Sequence, residues 1–432
     1  MGFGNIARGQ VLRGVLFLLF ELVFIFYMAV AGGHWMAKLT TLGEIGPHEE
    51  YSAVLDAYTT VYGDNSFKIL LYGVLTMFFI VAFLYTWRLN VKQNKLMEGI
   101  LKSGKKLKSG KDDLRSLVDD QFHKTLLALP LTGILLFTVL PILFMILVAF
   151  TNYDGTHDGF NNNLFSWVGL QNFNTMLSWQ GSGGQSYAAT FGEILSWTLI
   201  WAFFATFTNY FLGMFVAMAI NKKGIRFKKG WRTILVLTIA IPQFISLLYV
   251  SKMFAKNGII NGFLMDMGWI TQAIDFFGDA SRPWLARVTV IIINIWIGIP
   301  YLMLITTGIL MNIPEDLYEA ARVDGASTLK MFFKITLPYV IFVTTPYLIS
   351  SFVVNINSFN TIYLLTGGGP TYVGYQAGGT DLLVTWLYKV TIDQGSYNTG
   401  AVIGIFTFLI TATITLVTYR RSRAYNEEDT FQ

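Results

Sequence analysis

The chain has 432 residues, 53% of them hydrophobic and only 13% charged, with a mean hydropathy of +0.51. Several apolar runs reach the roughly 20 residues that cross a hydrocarbon core of about 30 Å, which excludes a soluble domain and predicts an all-α polytopic membrane protein. The absence of cysteine excludes disulfides and thiolate chemistry, and the net charge of +5 acquires meaning only when divided between the two sides of the membrane.

In chain order, eight spans are expected at about 11–31, 69–88, 126–150, 194–220, 233–254, 286–311, 338–358 and 399–419. The first run lacks a small-residue cleavage site and exceeds a signal h-region in length, so it counts as a span. An even number puts both termini on one side. With that side cytoplasmic, the inner segments carry 24 of the 31 Lys and Arg residues, and the outer ones carry 7 against 13 carboxylates. The positive-inside rule is met, and the expected topology is N-in/C-in.

The 88–124 loop interleaves Lys102, Lys105, Lys106, Lys108 and Lys111 with Gly and Ser, as in a solvated, lipid-facing loop. Its Ser109-Gly110-Lys111 is not a phosphate loop, because Asp112 follows and the upstream glycine spacing is wrong. Outside, Val168 to Phe173 reads either as a short helix on the membrane surface or as part of an interfacial aromatic belt with Tyr153, Phe160, Phe165, Trp167 and Trp179. Gly367-Gly368-Gly369-Pro370 reads as a turn.

No catalytic constellation stands out. His34, His48, His123 and His157 are scattered on both sides of the membrane, so no metal site is expected, and HExxH, GxSxG and GxxxxGK[ST] are all absent. Active transport would then draw on an ion gradient or on a separate ATP-hydrolysing protein. Ion coupling needs intramembrane carboxylates or histidines, and Glu21 is the only carboxylate well inside a run.

The intramembrane polar groups are amides, hydroxyls and aromatics. Asn294, Trp296, Gly298 and Tyr301 cluster around Pro300 in the sixth span; Ser350, Ser351, Asn355, Asn357 and Ser358 lie toward the outer end of the seventh. Neutral hydrogen-bonding groups beside aromatic faces suit a polyhydroxylated ligand, and the same groups also serve as bonds between helices.

Between those two spans lies a polar-and-small segment with the outline of a docking element. Pro314 suits a first helical turn, Glu315 and Asp316 its positive end, and Arg322 its negative end. Gly325 fits the C-terminal cap, Ser327 or Thr328 can cap a second short helix, and Pro338 opens the next apolar run.

Glu319-Ala320-Ala321, Gly325, Ile335 and Leu337-Pro338 match the EAA loop of ABC importer membrane subunits at every defining position. Asn294 to Tyr301, Ser351 to Phe359 and Gly368-Gly369-Pro370 resemble the MalF-type subunit of maltose/maltodextrin importers, as do two spans placed ahead of a six-span core. The resemblance covers about 126–420 and is weak before it. It implies a type I permease core at 126–432 with its EAA loop at 312–338, behind a two-helix extension at 1–125. It implies a substrate site of Asn294, Trp296, Ile297, Gly298, Tyr301, Ser351, Asn355 and Ser358, and ATPase coupling by Glu319, Ala320, Ala321, Asp324 and Gly325.

The implied partners are a second, MalG-like permease subunit, two ATP-binding cassette subunits and an extracytoplasmic solute-binding protein. No cofactor is expected, ATP being bound by the partner. The implied function is import of maltodextrin-type oligosaccharides across a prokaryotic cell membrane; another neutral sugar, or ion-coupled secondary transport, is the alternative. Val354 and Ser358 stand where relatives have an aromatic ring and an Asn, and the 151–193 loop is too short for the folded domain that some relatives carry there.

Overall fold

The computed structural model describes the chain apart from residues 53–55, 105–106, 108–111, 113–114, 117, 161–162, 181–185, 223, 371–376 and 422–432. Lys105, Lys106, Lys108 and the Ser109-Gly110-Lys111 stretch lie outside the described residues. The chain divides into two compact units: Met1–Phe173 with Gly395–Ala401, and Asn174–Gln394 with Val402–Gln432.

In the first unit a short helix α1 (Phe3–Ala7) precedes α2 (Val11–Lys38), which carries a wide turn at Met28–Gly32. A hairpin of β1 (His48–Ser52) and β2 (Ala57–Val61) leads to α3 (Ser66–Lys102) and then α4 (Phe122–Val148). Phe24 stacks on Phe83 at 3.9 Å, and the Tyr27 and Thr76 hydroxyls lie 2.7 Å apart, so α2 and α3 pair along their apolar lengths. α1 is tied to the far end of α3, where Asn5 Oδ1 accepts from Asn90 Nδ2 at 2.9 Å and Asn94 Nδ2 at 3.1 Å. Glu21 is met by the Met1 ammonium, a charged partner within its own unit.

The stretch after α4 is folded into this unit. Asn172 Nδ2 donates to the Ala149 and Thr151 carbonyls at 2.8 and 2.7 Å, and Trp167 Nε1 donates to the Leu39 carbonyl at 2.9 Å. Phe165 is buried beside the half-buried Tyr153, their rings 4.9 Å apart, whereas Phe160 stays exposed. A short helix α5 (Gln171–Leu177) does form after Val168.

The second unit is built on α6 (Tyr187–Asn221) and α10 (Pro283–Met311), joined by α12 (Thr328–Ile356). Trp201, Leu247, Val290 and Ile362 bury one apolar cluster, and Tyr210, Met214, Leu302 and Val340 a second. The fifth expected span, 233–254, is not one straight helix. It is α7 (Lys228–Ala240) and α8 (Gln243–Met253), bent by 91° at Ile241-Pro242. Pro242 supplies no N–H, and Ile241 before it is driven into the extended region, φ −83° and ψ 126°. The described residues thus hold seven helices long and apolar enough to cross a membrane, or eight if the bent pair counts as one. After α9 (Ile259–Asp266) and the α10–α12 region come α13 (Phe359–Thr366), α14 (Leu383–Tyr388) and the last span α15 (Tyr397–Arg421). Gly367 and Gly368 take the left-handed φ of the expected turn.

Candidate functional site

α10 gathers Asn294, Ile297, Gly298 and Tyr301 on one face, because the spacing i, i+3, i+4, i+7 returns to the same side of a helix. That face and Trp296 line a cavity of about 360 Å³, closed on the other side by the bend of α7 and α8. Pro300, inside α10, cannot donate to the Trp296 carbonyl four residues back, which leaves that acceptor free of the helix ladder. Gly298 is required by a close approach, since a Cβ there would lie 2.2 Å from Asn209 Nδ2 on α6. Trp296 and Tyr301 remain more than half exposed, 58% and 51%, while Asn294 is buried. The lining contains aromatic faces, amides and hydroxyls but no ionisable acid or base other than the Tyr301 phenol.

The seventh-span residues are placed differently. The Ser351 side chain bonds to Tyr347, whose ring lies 6.5 Å from that of Tyr301, so it stands one contact behind the cavity. Asn355 Nδ2 donates to Thr206 Oγ1 of α6 at 2.9 Å, and Ser358 Oγ to Thr361 Oγ1 at 3.1 Å; neither lines the cavity. The other wall, with Thr238, Gln243 and Ser246, was not foreseen. Pro242 amid an apolar run, with the polar Gln243 and Ser246 three apart just after it, is the signal that could have pointed there.

The predicted coupling segment folds as α11 (Glu315–Val323) and a turn. Gly325 takes φ 73°, its N–H bonds the Arg322 carbonyl at 3.0 Å, and the Ala326 N–H bonds the Ala321 carbonyl at 2.9 Å. These two bonds form a Schellman cap, which satisfies the last carbonyls of α11. Pro314 sits one place ahead of the first turn, as the N-terminal cap. Ser327 caps the following helix by accepting from the Lys330 N–H at 3.3 Å.

That following helix is not a separate short one. It runs on as α12 through Pro338, and a wide turn at Phe332–Thr336 makes room for the proline ring. The Tyr318 and Thr336 hydroxyls, 2.8 Å apart, clamp α11 to the base of α12. Glu319, Ala320, Asp324 and Gly325 are exposed, Ala321 is half-buried, and Leu317, Val323 and Leu329 present bare apolar side chains around them. An exposed apolar patch rimmed by charge is the mark of a protein interface.

Long apolar helices around a cavity whose mainly apolar lining carries a few amides and hydroxyls, with an exposed capped turn between two of them, define a multi-pass membrane permease. Residues 209–424 match the family described as the binding-protein-dependent transport system inner membrane component, and the chain belongs to that family. It is 33% identical to the galactooligosaccharides transport system permease protein GanP of Bacillus subtilis, over 99% of this chain and 96% of the relative. It is 30% identical to the maltodextrin transport system permease protein MalC of Streptococcus pneumoniae, over 99% and 95%. The maltose/maltodextrin permease MalF of Escherichia coli is 36% identical over 262 residues, 59% of this chain and 49% of that protein. Among solved structures, a bacterial ABC transporter for the acidic polysaccharide alginate shares the fold, with a TM-score of 0.55 at 22% identity over 72% of this chain and 98% of that one.

Proposed function

We propose that this chain is the transmembrane subunit of an ATP-driven importer and forms the path for a neutral, maltodextrin-type oligosaccharide. The observation that carries the proposal is the α10 cavity: its walls offer amides, hydroxyls and aromatic faces without formal charge. Paired amide and hydroxyl groups match sugar hydroxyls, and rings cover the apolar C–H faces. The relatives named for maltodextrin and galactooligosaccharides, aligned over nearly the whole chain, support the substrate class. A galactooligosaccharide is the second reading, favoured by the 33% identity to GanP.

Coupling follows from continuity. α10 carries the cavity at its middle and leads through Asn312 and Ile313 into α11, and α12 leaves the capped turn without a break. A separate pair of ATP-binding cassette subunits, closing on ATP, draws this turn toward its counterpart on a second, MalG-like permease subunit. The helices turn with it and the cavity opens outward; hydrolysis reverses the motion. With N-in/C-in topology the α11 turn is cytoplasmic, and an extracytoplasmic solute-binding protein delivers the sugar on the other side. The chain itself binds no nucleotide. The test is ATPase stimulation of the purified complex, with its cognate binding protein, across a saccharide panel. Maltodextrins should stimulate at least ten-fold more than monosaccharides or charged oligosaccharides; equal stimulation by uronic-acid oligomers would sink the neutral-sugar reading.

A further inference from the structure

The hairpin of β1 and β2 is tied down at its base yet mostly exposed among the described residues. At its base the Asp64 N–H bonds the Ile45 carbonyl at 2.7 Å, and the Asp64 carboxylate accepts from the Glu44 and Ile45 N–H groups at 3.0 and 3.2 Å while pairing with Lys38. The two legs approach so closely that a Cβ on Gly63 would lie 2.1 Å from the Ile45 carbonyl oxygen. Above this base seven of the ten strand residues are exposed, on both faces of the ribbon. An isolated two-stranded hairpin is marginal in water, so a rigid mount under a bare ribbon is an arrangement for presenting it.

One face is distinctive. Tyr51 pairs with Tyr58 and Glu49 with Thr60 across the strands, so these four side chains share a face. The two rings meet edge to face at 5.5 Å and stay 52% and 72% exposed, and Tyr62 just beyond is 83% exposed. Exposed tyrosines in a row are what protein interfaces bury. Residues 39–67 contain five carboxylates and no Lys or Arg, which repels the anionic headgroups that an aromatic interfacial ribbon would otherwise sit among.

We propose that the tyrosine face of this hairpin is a docking surface for the extracytoplasmic solute-binding protein, received by a cationic, apolar-centred patch on that partner. The inference rests on the importer reading and its N-in topology, and it locates a contact that the short 151–193 loop has no room to supply through a folded domain. Aromatic burial supplies the affinity, and the carboxylates supply steering and orientation.

The test uses the complete transporter in nanodiscs, with cognate binding protein titrated against ATPase activity. The double variant Tyr58→Ala/Tyr62→Ala should raise the half-saturating concentration of binding protein at least ten-fold with basal ATPase unchanged. Glu49→Lys/Glu50→Lys should raise it too and abolish its dependence on NaCl. Unchanged half-saturation in both variants overturns the proposal. Because the chain lacks cysteine, Tyr62→Cys gives a single labelling site. A membrane-impermeant maleimide should label it in intact cells, and saturating binding protein should protect it. Labelling without protection overturns the docking site and leaves the importer reading standing. Labelling only in inverted vesicles overturns the topology itself. An environment-sensitive dye at this position that shifts with phosphatidylglycerol vesicles alone would assign the face to lipid and overturn the proposal.

Discussion

Gly298 shows how one missing methyl group shapes the cavity. Its place is set by Asn209 of α6, and an added Cβ must displace that buried amide. Gly298→Ala should therefore cost about 1–3 kcal/mol of overpacking and lower the thermal midpoint of the purified complex. Gly298→Ala/Asn209→Ala should recover most of the loss; additive losses in that cycle would mean the two residues do not share the space. Asp64 makes a second residue-scale argument. Burial pushes its carboxyl up, but the Lys38 ammonium and the Glu44 and Ile45 N–H groups outweigh that and hold it below the usual carboxylate range. A carboxyl depressed on folding stabilises above its unfolded value and loses that contribution as pH falls through the folded one. Hydrogen-exchange protection across residues 44–64, relative to the intrinsic rate at each pH, should thus fall below about pH 4, and Asp64→Asn should lack that protection at neutral pH already. Equal protection at pH 3 and pH 7 would refute the role given to this carboxylate.

At the scale of elements, α11 and its turn were legible almost residue by residue. Glycine at a left-handed position, serine at a cap and charges at helix ends are local signals, and a sequence states them locally. What lay beyond reach was the fate of Pro338. A proline in an apolar run reads as a helix start, and only the wide turn at Phe332–Thr336 lets the helix pass through it. The consequence is mechanical: the turn is continuous with the seventh span rather than hinged to it. Gly325→Ala, forced into φ 73°, should cost about 1 kcal/mol locally and reduce ATP-dependent uptake severalfold with normal membrane insertion. Glu319→Lys reverses charge on the exposed face proposed to dock, without touching a buried contact, so insertion should be intact and uptake abolished. Full uptake in Glu319→Lys would refute the coupling role of this turn.

For the molecule as a whole, hydropathy disclosed the spans because the bilayer imposes one length and one polarity on all of them. Which polar groups face a cavity and which tie helices together was not disclosed, since Asn and Ser serve both ends and the choice depends on tertiary neighbours. The bend at Pro242 lays a second wall opposite Asn294 and Tyr301, whereas Asn355 is held against Thr206 of α6. Two double variants separate the roles. Asn294→Ala/Tyr301→Ala removes an amide and a ring from the cavity and leaves the Asn355–Thr206 bond in place. The complex should assemble, keep its basal ATPase, and need at least ten-fold more saccharide-loaded binding protein for half-maximal uptake. Asn355→Ala/Thr206→Val removes both partners of a bond between α6 and α12, which exchanges a hydrogen bond worth about 1 kcal/mol for apolar contact. Its thermal midpoint should move by only a few degrees and its saccharide preference not at all. A change in saccharide preference there, with none in the α10 pair, would reverse the two assignments and move the sugar path from the bent-helix cavity to the outer end of α12.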